Sequence, residues 1–108
     1  MKDGLYLGQF CVHGAQCYGV VNVADNEIAG GDSHYWWTGK VGEAADGALN
    51  ANLTVRQHAP GSEGAVFGYF DSMDVTLTGR EVGEATQFDG QTMVGRPMQM
   101  NLTPLQLA

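Results

Sequence analysis

The chain has 108 residues, of which 44% are hydrophobic, so it can form one modest core, and we expect a single domain over residues 1–108. Twelve acidic and five basic residues give a formal net charge of −7, which disfavours direct contact with DNA or RNA because such binders need cationic groups against the phosphates. No segment has the roughly 20 apolar residues that cross a bilayer, and the start lacks a signal-peptide profile, so we expect a cytoplasmic protein with reduced cysteines and no membrane contact.

Alternation of apolar and polar residues with a period of two recurs along the chain, and no window has the spacing of an amphipathic helix. In chain order, the strands predicted from this pattern span residues 4–12, 17–23, 27–29, 34–41, 49–56, 65–70, 73–78 and 97–103. Between residues 79 and 96 the pattern weakens, and Phe88-Asp89-Gly90 predicts a turn between two short strands. About eight strands with short connections predict an all-β fold, either a sandwich or a closed, antiparallel up-and-down barrel.

Two adjacent tryptophans follow the paired glycines Gly30-Gly31. Successive side chains of a strand point to opposite faces, so Trp36 and Trp37 cannot share an environment. Trp37 alternates with Tyr35 and belongs in the core, which leaves Trp36 at the surface. An exposed Trp is a group that anchors partner proteins, although a Trp that lies flat over a sheet without a partner is more common.

The strand predicted at residues 49–56 has the clearest alternation, with Leu49 and Leu53 facing inward. Inward positions of other predicted strands are rich in aromatic and methionine side chains. The candidate lining residues of the interior are Tyr6, Phe10, Tyr35, Trp37, Phe67 and Tyr69, together with Met73, Met98 and Met100. They either pack as an ordinary core, which is the more common arrangement because interiors are close-packed, or enclose a small apolar ligand.

The cysteine and histidine residues include too few close pairs to predict a metal site. Cys11, His13 and Cys17 lie close in sequence, but a structural zinc site needs a second pair of ligands, and His34 and His58 each lack a neighbouring Cys or His. A disulfide across the first hairpin requires both cysteines on one face, whereas alternation puts Cys11 outside and Cys17 inside. We therefore expect free thiols and no metal.

No motif for catalysis is present in the sequence. A nucleophilic Ser or Cys needs an activating His and an orienting acid, and Ser33 and His34, as neighbours on a predicted strand, should diverge. Nothing matches a nucleophile elbow or a phosphate-binding glycine loop. The sequence predicts a protein that is not an enzyme and carries no cofactor.

Several short segments together resemble the GrlR-like family, small cytoplasmic negative regulators of bacterial type III secretion. The matching segments are Met1-Lys2-Asp3-Gly4-Leu5-Tyr6, Gly19-Val20-Val21, residues 25–33, residues 35–39 and residues 49–55. The most specific part is the corner Ile28-Ala29-Gly30-Gly31-Asp32, and the resemblance covers about the first half of the chain.

The resemblance implies a lipocalin-like β-barrel, often dimeric, without an enzyme site. The family's regulator binds and sequesters a helix-turn-helix transcriptional activator, partly through a very acidic loop after the aromatic strand. Here the corresponding loop, Glu43-Ala44-Ala45-Asp46, has two acids in place of a continuous acidic run. The resulting hypothesis is that Trp36, Glu43 and Asp46 meet a basic surface of an activator.

Two other functions and one assembly state also follow from this reasoning. The barrel interior could make the protein a carrier or sensor of a small apolar ligand, and a small enzyme of unknown type is a third reading. An edge strand of an incompletely closed barrel would need covering, which favours a homodimer.

Overall fold

The computed structural model describes residues 1–12, 14–58 and 72–105, and these residues form eight β-strands. The strands are β1 (Gly4–Val12), β2 (Ala15–Ala24), β3 (Glu27–Gly31), β4 (Tyr35–Glu43), β5 (Leu49–Gln57), β6 (Ser72–Val82), β7 (Ala85–Thr92) and β8 (Pro97–Pro104). Each strand pairs antiparallel with the next, and β8 pairs with β1, so the sheet closes into an up-and-down barrel. The predicted all-β antiparallel barrel is confirmed. Within the described ranges there is no helix that could cross a membrane.

Closure of the barrel changes one expectation about assembly. Because β1 pairs with both β2 and β8, neither terminal strand has a free edge. The argument for a dimer from an uncovered edge strand is therefore wrong, since a closed sheet has no unpaired row of backbone groups to cover.

Two predicted elements differ from the structure or lie outside it. Phe88-Asp89-Gly90 is not a turn but part of β7, where Phe88 faces the core and Asp89 pairs across to Thr78 and Gln99 on the outer wall. Pairing with a strand on each side overrides the local turn tendency of Asp-Gly. The strand predicted at residues 65–70 lies outside the described residues, and β5 pairs directly with β6.

The hairpin between β2 and β3 shows how closely local chemistry determines a turn. Asp25 and Asn26 have φ values of 55° and 63°, the left-handed backbone that these two residue types tolerate best after glycine. A two-residue turn of this hand matches the twist of the flanking strands. The compact turn predicted here is confirmed.

The barrel interior is one cluster of buried apolar side chains, and every strand contributes to it. Inward and outward positions alternate as predicted: Leu49, Leu53 and Val55 of β5 are buried, and Trp37 is 1% exposed whereas Trp36 is 41% exposed. The Trp37 ring packs against Phe10 with their centroids 4.6 Å apart.

Two glycines leave room for the Trp37 indole. A Cβ atom at Gly19 would lie 2.7 Å from Cη2 of Trp37, and one at Gly30 would lie 2.7 Å from its Nε1 atom. Real Cβ atoms do not approach so closely, so the indole occupies the space that side chains would take in β2 and β3. The glycines are a steric condition for burying Trp37.

Substitution of Gly19 by Ala tests this packing. We expect Gly19→Ala to lower the free energy of unfolding by about 1–3 kcal/mol, because overpacking forces the indole or the strand to shift. Gly42→Ala is the matched control, since a Cβ atom at Gly42 meets nothing within 4 Å, and it should change stability by less than about 0.5 kcal/mol. Urea unfolding followed by tryptophan fluorescence measures both. Equal stability of the two variants would contradict the packing role of Gly19.

Candidate functional site

The up-and-down topology gathers acidic side chains at one end of the barrel. Strand direction alternates, so every second connection lies at the same end, and the N-terminus joins the turns β2–β3, β4–β5 and β6–β7 there. We call this the acidic end; its seven exposed carboxylates are Asp3, Asp25, Glu27, Glu43, Asp46, Glu81 and Glu84. The basic side chains at or near this end are Lys2, Lys40 and Arg80. Seven of the chain's twelve acidic residues therefore lie at one end of the barrel.

The β4–β5 connection carries the two acids predicted to bind a partner. Glu43 is the last residue of β4 and is exposed, so the connection itself is shorter than predicted. Asp46 is exposed and also shapes its turn, because its Oδ1 atom accepts a hydrogen bond of 3.0 Å from the backbone N–H of Ala48. Gly47, with a φ of 85°, completes the turn. The structure thus presents both carboxylates to solvent on a well-formed hairpin.

Trp36 lies away from these two acids. It is seven residues before Glu43 on the same strand, a distance of about 23 Å at the rise of a β-strand, near the opposite end of the barrel. The guanidinium carbon of Arg56 lies 4.9 Å from the centroid of the Trp36 ring, a cation–π contact. The structure therefore does not bring Trp36 together with Glu43 and Asp46, and the positive charge of Arg56 makes the surface around Trp36 a poor match for a basic partner.

A groove of about 630 Å³ opens at the acidic end. Its lining residues include the acids Asp3, Glu81 and Glu84, the basic Lys2, and Leu5 and Tyr6. Burial raises the pKa of the Tyr6 hydroxyl, and the negative charges of Glu81 and Asp3 raise it further. Sequence reasoning missed this grouping, because its acids come from the N-terminus and from the β6–β7 hairpin. The sequence pattern that could have revealed this grouping is an acidic residue in or beside every second turn of the chain.

The predicted ligand-lining residues lie in the core as far as the structure describes them. Tyr6, Phe10, Tyr35 and Trp37 are all buried in the central cluster, whereas Phe67 and Tyr69 lie outside the described residues. Trp37 Nε1 is buried without a hydrogen-bond partner in the described part of the chain. The contacts of Trp37 with glycine backbone and Phe10 are those of a close-packed core, and an interior ligand site stays a prediction.

The β3–β4 turn at the opposite end of the barrel holds a small polar cluster. Ser33 Oγ lies 3.0 Å from His34 Nδ1, so the prediction that these side chains diverge is wrong, because both residues lie in a turn before β4 begins. Asp32 Oδ1 accepts hydrogen bonds from the backbone N–H groups of His34 and Tyr35, each 2.8 Å. His58 Nε2 lies 2.8 Å from the Asp32 carbonyl oxygen. These contacts hold the turn in shape and tie it to the end of β5.

The two cysteines in the described part of the chain bear on thiol reactivity and on metal binding. Cys11 and Cys17 are both free. Burial raises the pKa of the Cys17 thiol to about 12, with a further contribution from the neighbouring Asp32 carboxylate. Within the described residues no group of three or more His, Cys, Asp or Glu side chains could hold a metal ion, and His13 lies outside them.

Comparisons with known proteins point to one family. A family model described as "T3SS negative regulator, GrlR" matches residues 1–107. No curated protein sequence matches the chain. The solved structure of a redesigned β barrel is similar, with a TM-score of 0.51 and 12% sequence identity over 96% of this chain and 91% of that chain. At this identity the structural likeness shows the β-barrel fold alone.

The raised pKa of Cys17 predicts a difference in thiol reactivity. With a pKa of about 12, roughly one Cys17 in ten thousand is thiolate at pH 8, and only the thiolate reacts with a disulfide reagent. We expect one fast-reacting thiol in the folded protein at pH 8, lost in Cys11→Ser and kept in Cys17→Ser. Labelling with dithionitrobenzoate measures this, and in urea both cysteines should react. A fast phase that disappears in Cys17→Ser would contradict the prediction.

Proposed function

Because the chain belongs to the GrlR family of negative regulators of type III secretion, we propose that it is a non-enzymatic regulator that sequesters a basic helix-turn-helix transcriptional activator. The observation that supports this best is the acidic end. The family match supports the regulatory role. The clustered carboxylates of this chain form a negatively charged surface that complements a cationic, DNA-binding partner.

Charge complementarity is the first step of the proposal. An activator that binds DNA carries Lys and Arg side chains to neutralise phosphates. The acidic end offers seven carboxylates against three basic side chains, so it attracts the same cationic surface. Such steering raises the rate of encounter and selects the orientation of the partner.

The two acids of the β4–β5 connection are part of a larger acidic surface in this chain. Glu43 and Asp46 lie at the same end as Asp25, Glu81 and Glu84. Carboxylates from three different hairpins and the N-terminus thereby take the place of a continuous acidic run in one loop. Trp36 has no part in this surface, since it lies near the other end of β4.

The proposed mechanism is steric occlusion. A barrel bound to the cationic surface of the activator covers the groups that would contact DNA, and release restores them without any covalent change. This reading places the protein in the cytoplasm, where the activator meets DNA. No feature of the described residues favours the alternative of a carrier for an apolar ligand over this one.

Charge reversal at Glu43 tests the surface. We expect Glu43→Lys to slow association with the proposed helix-turn-helix activator of type III secretion genes by roughly tenfold at low salt, because steering depends on charge at the contact face. Asp89→Lys is the matched control, with the same change in net charge but on the outer wall of β7, at mid-strand. Biolayer interferometry with purified proteins measures both rates. Equal rates for the two variants would show that overall charge, not the acidic end, governs binding.

Removal of charge without loss of the turn tests Asp46. Asp46→Asn keeps an oxygen that can accept the Ala48 N–H hydrogen bond and removes one negative charge. We expect weaker partner binding with an unchanged melting temperature, and a binding constant that falls as NaCl rises from 50 to 500 mM in the unmodified protein. Binding that is independent of salt would contradict an electrostatic interface.

A further inference from the structure

Inward-facing side chains of three strands meet in the groove at the acidic end. Tyr6 and Thr86 occupy inward positions of β1 and β7, are 5% and 4% exposed, and both line the groove. Glu81 of β6 is paired with Thr86, and directly opposite residues of two strands share one face of the sheet. Glu81 therefore belongs to the inner face of the barrel, at the point where the interior opens to solvent.

The Thr86 hydroxyl is a polar group without a hydrogen-bond partner in the described part of the chain. Thr92, at the other end of the same strand, is equally buried, but its Oγ1 atom accepts a hydrogen bond of 3.2 Å from the backbone N–H of Arg96. Removal of a hydroxyl from water without a compensating hydrogen bond costs free energy. A ligand in the groove that bonds to the Thr86 hydroxyl would recover that cost.

The charges around this hydroxyl favour a cation. Three carboxylates and one ammonium line the groove, those of Asp3, Glu81, Glu84 and Lys2, which leaves a net charge of −2. Burial raises the pKa of the Tyr6 hydroxyl, and the charges of Glu81 and Asp3 raise it further, so both carboxylates lie near it. The Tyr6 hydroxyl already donates a hydrogen bond of 2.6 Å to the Lys2 carbonyl oxygen. The groups left for a ligand are therefore mainly acceptors.

The spread of the acids decides which kind of cation fits. A bound Ca²⁺ needs about six to eight oxygen ligands at roughly 2.4 Å, and no group of His, Cys, Asp or Glu within residues 1–12, 14–58 and 72–105 could hold a metal ion. An ammonium or guanidinium group instead directs several N–H donors to acceptors in different directions. Leu5, Pro104 and Leu105 also line the groove, and apolar side chains suit the methylene stem of such a group.

We propose that the groove binds one organic cation, an ammonium or guanidinium group on an aliphatic stem, with Glu81 and Glu84 as counter-charges and the Thr86 hydroxyl as an acceptor. Its volume of about 630 Å³ lies in the range of small-ligand sites. Two sources share this chemistry, a Lys or Arg side chain of a basic protein and a free alkyl diamine. The site itself does not rest on the proposed function, whereas a side chain of the activator as its occupant does.

Titration of the full chain with small probes tests the site. N-acetyl-arginine amide represents the side chain and putrescine the free diamine, and NMR of the backbone amides follows each titration. We expect at least one probe to bind with millimolar affinity and to shift the signals of Tyr6, Glu81 and Thr86. Thr86→Val should weaken binding roughly fivefold through the loss of one hydrogen bond. Thr92→Val, the same substitution at the far end of β7, is the matched control and should leave the affinity unchanged.

A second pair of variants tests the charge of the groove. Glu81→Gln should weaken probe binding roughly tenfold, because it removes a charge-assisted hydrogen bond. Asp89→Asn makes the same change in net charge on the outer wall of β7 and should have no effect. Circular dichroism should show all four variants folded. Absence of shifts at the groove with both probes, or equal affinities for Thr86→Val and Thr92→Val, would overturn the proposal.

Competition at constant ionic strength distinguishes the two sources. If a side chain of the proposed activator enters the groove, a saturating amount of the bound probe slows activator association with the unmodified protein, and this effect is weaker with Thr86→Val. If a free diamine is the ligand, putrescine binds in the groove without changing activator association. Failure of the proposed function has a different signature, since the activator then does not bind while a probe still occupies the groove.

Discussion

Burial of the Trp37 indole inside a closed sheet is the constraint on which the rest of the structure depends. The ring rests over Gly19 and Gly30 and against Phe10, so strands β1 to β4 are joined through one side chain as well as through backbone pairing. In a barrel of eight strands the interior is just wide enough for side chains to fill. The inward positions of the described strands are taken up by this core, and the exposed side chains lie on the outer wall and at the ends.

Closure and strand direction together produce the acidic end. Each hairpin reverses the chain, so alternate turns are placed side by side although they are far apart in sequence. Asp25 and Glu84 lie within two different turns and Glu43 lies beside a third, and none of these turns is strongly acidic by itself. The proposed partner surface is therefore assembled by topology from several hairpins rather than carried by one loop.

Local patterns in the sequence were sufficient for the fold class and for the environments of single residues. The alternation of side chains placed Trp37 in the core and Trp36 at the surface. The residue types of Asp25-Asn26 predicted a turn, because Asp and Asn tolerate left-handed backbone. Both are properties of a few consecutive residues. The β7 segment around Phe88 was misread, since pairing with β6 and β8 outweighs its local turn signal. Only the tertiary structure decided that His58 contacts the Asp32 carbonyl oxygen and that seven acids share one end. Those facts depend on barrel closure and strand register, which arise from contacts between distant segments and leave no trace in any short stretch of residues.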